Sequence, residues 1–152
     1  MLEHGSEKLP KESDNYIQMP IDNTLMIPPF LEEPVPSTIG KFQQNGPKVF
    51  EELKSRIPSL NKKVVEKARL LPSDIKLAIL HQASGRMVKW LEQKMPEYTF
   101  FNDLEDGNFS SASIPKAWAR AIKSGKIQRG DKILLSGFGA GLYASSAVVQ
   151  LR

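Results

Sequence analysis

His81, Asn108 and the run Gly137-Phe138-Gly139-Ala140-Gly141 are the positions whose residue types and settings could do chemistry. An imidazole works near neutral pH as a proton carrier or hydrogen-bond donor. A carboxamide donates without titrating, and glycines let backbone amides approach a ligand closely. Taken singly, each also has a plain structural reading. A histidine that ends a strand can simply be packed, and an asparagine after a glycine is an ordinary turn residue. The glycine run does not fit a phosphate-binding loop. It lacks the Lys-Ser/Thr pair, and Leu142 stands where a dinucleotide fingerprint needs its third glycine. There is no Gly-x-Ser-x-Gly elbow. The 152 residues contain no cysteine, which excludes a thiol nucleophile, a disulfide or a thiolate metal site within them. No metal site is expected.

Regular elements must position these groups. Ile75 to Leu80 reads as a short strand, apolar enough to be buried on both faces, that stops at His81-Gln82. Ala83, Met87, Leu91 and Met95 recur at steps of four, with Val88 beside them, predicting a helix that Pro96 closes. Tyr98 to Phe101 predicts another strand, and Asp103 to Ser113 a polar loop carrying Asn108. Pro115 opens a helix through Ala117, Trp118, Ala121 and Ile122 that Gly125 caps. Lys132 to Ser136 and Leu142 to Leu151 predict strands joined by the glycine run. Upstream, Val49, Phe50 and Leu53 share one helical face, and Leu60, Val64, Val65 and Ala68 another, with Pro58 expected to break or kink the helix between them. Strand, helix, strand, helix, strand predicts a layered α/β domain. Ligands of such sheets gather beyond the carboxyl ends of the strands, so the three candidate segments are expected to converge on one crevice.

Length and composition suit one ordinary soluble domain, with 40% hydrophobic and 25% charged residues. The chain divides into an extended segment, residues 1–40, and a compact domain, residues 41–152. Six prolines (Pro10, Pro20, Pro28, Pro29, Pro34 and Pro36) deny the first segment a long helix. Within it, Tyr16 to Met19 suggests a short strand, while Leu2-Glu3-His4 resembles a cloning remnant. No stretch is suited to a membrane helix and no signal sequence precedes the domain, so a cytoplasmic location is expected. Residues 1–40 carry a net charge of −5 and residues 41–152 a net of +9. A basic body attracts nucleic acid, an acidic protein or a phosphate-bearing ligand, or is simply a solvated surface. No aromatic interleaving or recognition-helix pattern supports nucleic acid.

Five segments in order resemble the β-ketoacyl-carrier-protein synthase III family. Gln44-Asn45-Gly46-Pro47-Lys48-Val49-Phe50 resembles the M-N-G-x-x-V-F that begins the family's second half. His81-Gln82-Ala83-Ser84-Gly85-Arg86 is similar to H-Q-A-N-x-R. Gly107 to Pro115 resembles G-N-T-S-A-A-S-I-P, Gly125 to Asp131 resembles G-x-I-x-x-G-D, and Gly137 to Leu142 matches G-F-G-A-G-L. The chain departs from the pattern at Ser84 for Asn, at Phe109 for Thr, and at Tyr143-Ala144-Ser145 for T-W-G.

The resemblance implies the C-terminal half of a thiolase-like fold, a mixed sheet layered with helices. It implies that His81 and Asn108 are catalytic, donating to the thioester oxygen during decarboxylation of a malonyl group. The backbone of Gly139, Ala140 and Gly141 would form a second oxyanion hole, Phe138 and Phe109 would line the pocket, and Arg86 would dock an acidic carrier protein. The reaction implied is decarboxylative Claisen condensation of an acyl thioester with malonyl-carrier protein. Acyl-CoA and acyl-carrier protein are expected as substrates, and no cofactor is expected. The nucleophilic cysteine would come from a partner, the family's N-terminal thiolase-like half. Two alternatives share the fold: an acyltransferase of secondary metabolism, and a non-catalytic module that binds a carrier protein.

Overall fold

The computed structural model describes residues 3–8, 17–18 and 43–152. A four-stranded mixed sheet is built from β1 (Glu3–Lys8), β4 (Leu77–Leu80), β5 (Lys132–Gly139) and β6 (Tyr143–Gln150), in the order β1-β6-β5-β4. β4 and β5 run parallel, with Leu80 opposite Ser136, while β5–β6 and β6–β1 are antiparallel. A two-stranded pair, β2 (Ile17–Gln18) and β3 (Gln43–Gln44), stands apart from that sheet. Among the described residues there are three α-helices, α1 (Gly46–Lys67), α2 (Gly85–Lys94) and α3 (Ser113–Lys123), and two single 3-10 turns at Pro72–Asp74 and Ser110–Ala112. The layered α/β architecture expected from the sequence is present. None of the described helices is long and apolar enough to cross a membrane.

Strand alternation assigns side chains to two cores. Ala78, Leu80, Leu134, Ala144 and Val148 face α1 and α2, packing with Val49, Leu53, Ile57, Leu60 and Val64 of α1 and Met87, Val88 and Leu91 of α2. Leu77, Ile79, Ile133 and Val149 face the other way, onto Ala117 and Ala121 of α3 and Ile127 beyond it. Both faces of β4 and β5 are therefore covered, and Leu77–Leu80, although at the end of the strand order, has four buried residues in succession.

Four local expectations differ from the structure. Pro58 does not divide the first helix, because α1 runs unbroken from Gly46 to Lys67. Pro58 removes one amide donor and crowds the preceding turn, at a cost of about 3 kcal/mol. The buried residues Leu53, Ile57, Leu60 and Val64 stay in phase across it, and burying each side chain contributes about 1.5–3 kcal/mol. Burial outweighs the proline. Asn45 caps the start by accepting the Lys48 amide at 3.2 Å, and Arg69 ends the helix in a left-handed conformation, φ 57°.

The second finding concerns Glu3 and His4, which are part of the sheet whatever their origin. They begin β1, which pairs with β6 from Glu3↔Val148 to Lys8↔Tyr143. Glu3 and Glu7 reach Lys67 and Arg56 of α1 at 3.1 and 2.6 Å. Gly5 lies so close to α1 that an added Cβ would sit 2.9 Å from Val64 and 3.2 Å from Leu60. The rest of the proline-rich segment, including Tyr16 and Met19, lies outside the described residues apart from Ile17–Gln18.

Third, Tyr98 to Phe101 forms only a single parallel bridge, Ala78↔Phe100, in place of a strand. The Ala78 amide donates to Thr99 at 2.8 Å and the Phe101 amide to Ala78 at 3.0 Å. The glycine run is also less of a loop than expected. Gly137, Phe138 and Gly139 belong to β5, and only Ala140–Leu142 make the hairpin turn.

Candidate active site

His81 follows the last residue of β4. Its amide donates to the Ser136 carbonyl of β5 at 2.7 Å, continuing the parallel pairing by one step, and its carbonyl accepts from the Ala83 amide at 2.8 Å. The imidazole is half-buried against Phe138, ring centroids 5.1 Å apart. Among the described residues neither ring nitrogen has a partner, and burial pushes the pKa below its ordinary value of 6.5. The imidazole is therefore neutral at pH 7, with one N–H available to donate.

Gln82, fully buried, fixes what comes next. Its Nε2 donates to the Leu80 carbonyl at 2.7 Å, and its Oε1 accepts the Asp103 amide at 3.0 Å. The end of β4 is thereby tied to the loop that carries Asn108. Ser84 caps α2 by accepting the Met87 amide at 3.3 Å. Serine and asparagine cap helices comparably, so the departure at this position keeps its local role. Arg86 is exposed in the first turn of α2.

Asn108 sits in the exposed loop before α3. Its Oδ1 accepts the Ser110 amide at 2.8 Å and lies 3.5 Å from the Ser113 hydroxyl. The Ser113 oxygen in turn accepts the Phe109 amide at 3.1 Å. With the oxygen engaged, the NH2 end of the carboxamide is the end left to donate. The loop is braced from below by ion pairs. Asp103, buried, pairs with Arg120 and with Lys116 at 2.9 Å, and Asp106 pairs with the same two cations at 2.8 and 2.7 Å. The hydrogen bond from Lys116 holds the Asp106 carboxyl below its usual range and raises Lys116 itself. The Lys116 ammonium also stands 4.6 Å above the ring of Phe109, which is 45% exposed.

The N-terminus of α3 is set against the same end of the sheet. A Cβ on Gly137 would lie 3.2 Å from Ile114 Cδ1, so glycine here admits the helix. The Gly137–Ile114 contact and the Gln82–Asp103 bond thus set the carboxyl ends of β4 and β5, with His81 and Phe138, against the two ends of the segment that carries Asn108. Ala140 is exposed at the hairpin tip between Gly139 and Gly141, and Gly141 has φ 125° with a Cβ position 2.3 Å from the Tyr143 ring. No other residue fits there. A cavity of about 470 Å³ lined by residues that include Phe101, Asp103, Arg120 and Lys126 contains none of the candidate residues.

Sequence reasoning missed Gln82, Ser113 and the Asp103 ion cluster as partners of the segments that carry His81 and Asn108, and missed Asn61 as a buried polar residue. Gln82 and Ser113 stand inside quoted motifs, and Asn61 is a polar residue within an apolar helical stripe.

The chain resembles known proteins along most of its length. Residues 65–151 match the family described as 3-oxoacyl-[acyl-carrier-protein] synthase III C terminal. A β-ketoacyl-[acyl-carrier-protein] synthase III of Lactiplantibacillus plantarum is 38% identical over 112 residues, covering 72% of this chain and 34% of that protein. Its counterpart from Synechocystis is 39% identical over 116 residues, covering 74% and 35%. The crystal structure of 3-oxoacyl-[acyl-carrier-protein] synthase III from Aquifex aeolicus superposes with a TM-score of 0.78 at 28% identity, covering 98% of this chain and 44% of that one. A priming β-ketosynthase from the R1128 polyketide pathway gives 0.74 at 26% identity, covering 98% and 43%. The chain spans about a third of the length of these curated relatives.

Proposed function

Because the chain belongs to the C-terminal family of 3-oxoacyl-[acyl-carrier-protein] synthase III, we propose that it supplies the decarboxylating half of a condensing site. His81 and Asn108 donate to a malonyl thioester oxygen in this reading. The bond between the malonyl carboxylate and its neighbouring carbon breaks, CO₂ leaves, and the electron pair moves into an enolate whose negative oxygen the two donors hold. The enolate carbon then attacks the carbonyl of an acyl thioester, and a cysteine thiolate departs. Since these 152 residues hold no cysteine, that thiolate comes from an N-terminal thiolase-like half outside them. The Ala140 amide, between Gly139 and Gly141, serves the oxygen of the acyl thioester, and Phe138 and Phe109 wall the pocket. Arg86 and the net charge of +9 on residues 41–152 attract an acidic carrier protein, and acyl-CoA delivers the starting acyl group.

The observation that carries the reading is the pairing of two donors of the right kind. A neutral imidazole with no partner among the described residues follows β4, and the loop that Gln82 ties to that strand end carries a carboxamide whose oxygen is already occupied. Preorganised donors of this sort are each worth about 10²–10³ in rate. The test combines the chain with a cysteine-bearing first half of a synthase III and measures CO₂ release from malonyl-carrier protein. His81→Ala and Asn108→Ala should each slow release by about that factor. Full activity in His81→Ala refutes the assignment.

A further inference from the structure

Asn61, Ser136 and Ser146 are 0%, 3% and 2% exposed, a polar triangle inside an otherwise apolar core. Ser136 and Ser146 face each other across β5 and β6, and Asn61 reaches them from the middle of α1. Asn61 Oδ1 accepts both hydroxyls, each at 2.6 Å, and Nδ2 donates to Met95 Sδ at 3.4 Å. The two serine oxygens are 3.3 Å apart. Two hydroxyl protons are spent on the two lone pairs of one carbonyl oxygen, which fully uses that acceptor. The amide orientation follows, because a reversed carboxamide would set its oxygen against a thioether that has no proton to give.

As filling, this triangle gains little. Each such hydrogen bond contributes little net, because it replaces one made to water in the unfolded chain, and replacing all partners with apolar groups of similar shape is close to neutral. A leucine at 61 would continue the stripe of Ile57, Leu60 and Val64. What the triangle supplies is direction, since hydrogen bonds fix position more narrowly than apolar contact does. Ser136 is the residue whose carbonyl receives the His81 amide at 2.7 Å, and Phe138, two residues on along the same face, lies against the His81 ring.

We propose that Asn61 is a positioning residue: through Ser136 it fixes the end of β5 against α1, and thereby sets the place and enclosure of the His81 imidazole. This rests on the reading of His81 as the thioester-oxygen donor.

The test follows the imidazole titration of the 152-residue chain by NMR. His4, exposed on β1, is the other histidine. Asn61→Ala should shift the His81 midpoint upward, toward its ordinary 6.5. Ile127→Ala, a truncation in the α3-side core, should lower stability without moving His81. The variant N61L/S136A/S146A should recover stability close to the parent's while its His81 midpoint stays displaced. It also decides the matter if Asn61→Ala does not fold. A triple variant that titrates like the parent shows the triangle to be mere filling and overturns the proposal, as does an unmoved midpoint in folded Asn61→Ala. These readouts need no turnover. A fully active His81→Ala would remove the functional reading while leaving the titration result standing.

Discussion

The rings of His81 and Phe138 stand nearly perpendicular, at an interplanar angle of 79°, with 5.1 Å between their centroids. Phe138 removes water from one side of the imidazole, and the resulting burial lowers its proton affinity. In the unfolded chain the same group has its ordinary pKa of 6.5. As pH falls below that value the unfolded state binds a proton first, so folding loses stability. The contribution is fully present above about 6.5 and is lost as pH falls through the lower folded-state pKa. Denaturant midpoints of the parent and of His81→Gln, measured from about pH 7.5 down to 5, should show the parent losing more. Parallel curves would contradict this.

Asn108 offers a sharper substitution than alanine. Asn108→Asp keeps the acceptor for the Ser110 amide but replaces the NH2 with an oxygen that cannot donate. Malonyl decarboxylation by the completed enzyme should fall by about 10²–10³, with the loop's backbone chemical shifts little changed. A variant that stays active would show that the amide protons are not used.

Pro58 is a place to gain stability. Pro58→Ala restores a donor to the α1 ladder and removes the ring clash, worth about 3 kcal/mol, against a loss of about 0.4–1 kcal/mol from a freer unfolded chain. A net rise of about 2 kcal/mol in unfolding free energy is expected. A drop on chemical denaturation would mean that the proline packs in a way alanine cannot replace.

Gly5→Val tests the seat of β1. Its side chain would drive into Val64 and Leu60 of α1, and overpacking of this kind costs about 1–3 kcal/mol. Hydrogen exchange should quicken at the amides that join β1 to β6 and stay unchanged along the β5–β6 ladder. Equal protection in the variant would show that α1 yields instead.

The sheet and helices that hold the site are legible in particular residues. Leu77–Leu80 announces a doubly covered strand, Met87 and Leu91 an amphipathic helix, and Pro115 and Gly125 bracket α3. Pro58 misleads because a local penalty is outvoted by burial spread over six turns of helix. Glu3–Lys8 misleads because a polar edge strand has no pattern of its own; β6 and α1 give it one. Tyr98–Phe101 has strand composition but contributes one bridge. For the site, His81 and Asn108 stand out through motif likeness, whereas the hydrogen bonds of Gln82 to Asp103 and of Asn61 to Ser136 span separations that no local pattern encodes.

The seating of β1 also bears on solubility. β6 offers eight residues, among them Ala144, Ala147, Val148 and Val149, in a regular ladder. Without β1 that ladder would be a bare template for strands of other molecules. The six residues that cap it, Glu-His-Gly-Ser-Glu-Lys, are short and charged, the features by which natural edges discourage further addition. Removing them should make particle size grow more steeply with concentration than it does in the parent, although His81 and Asn108 are left intact.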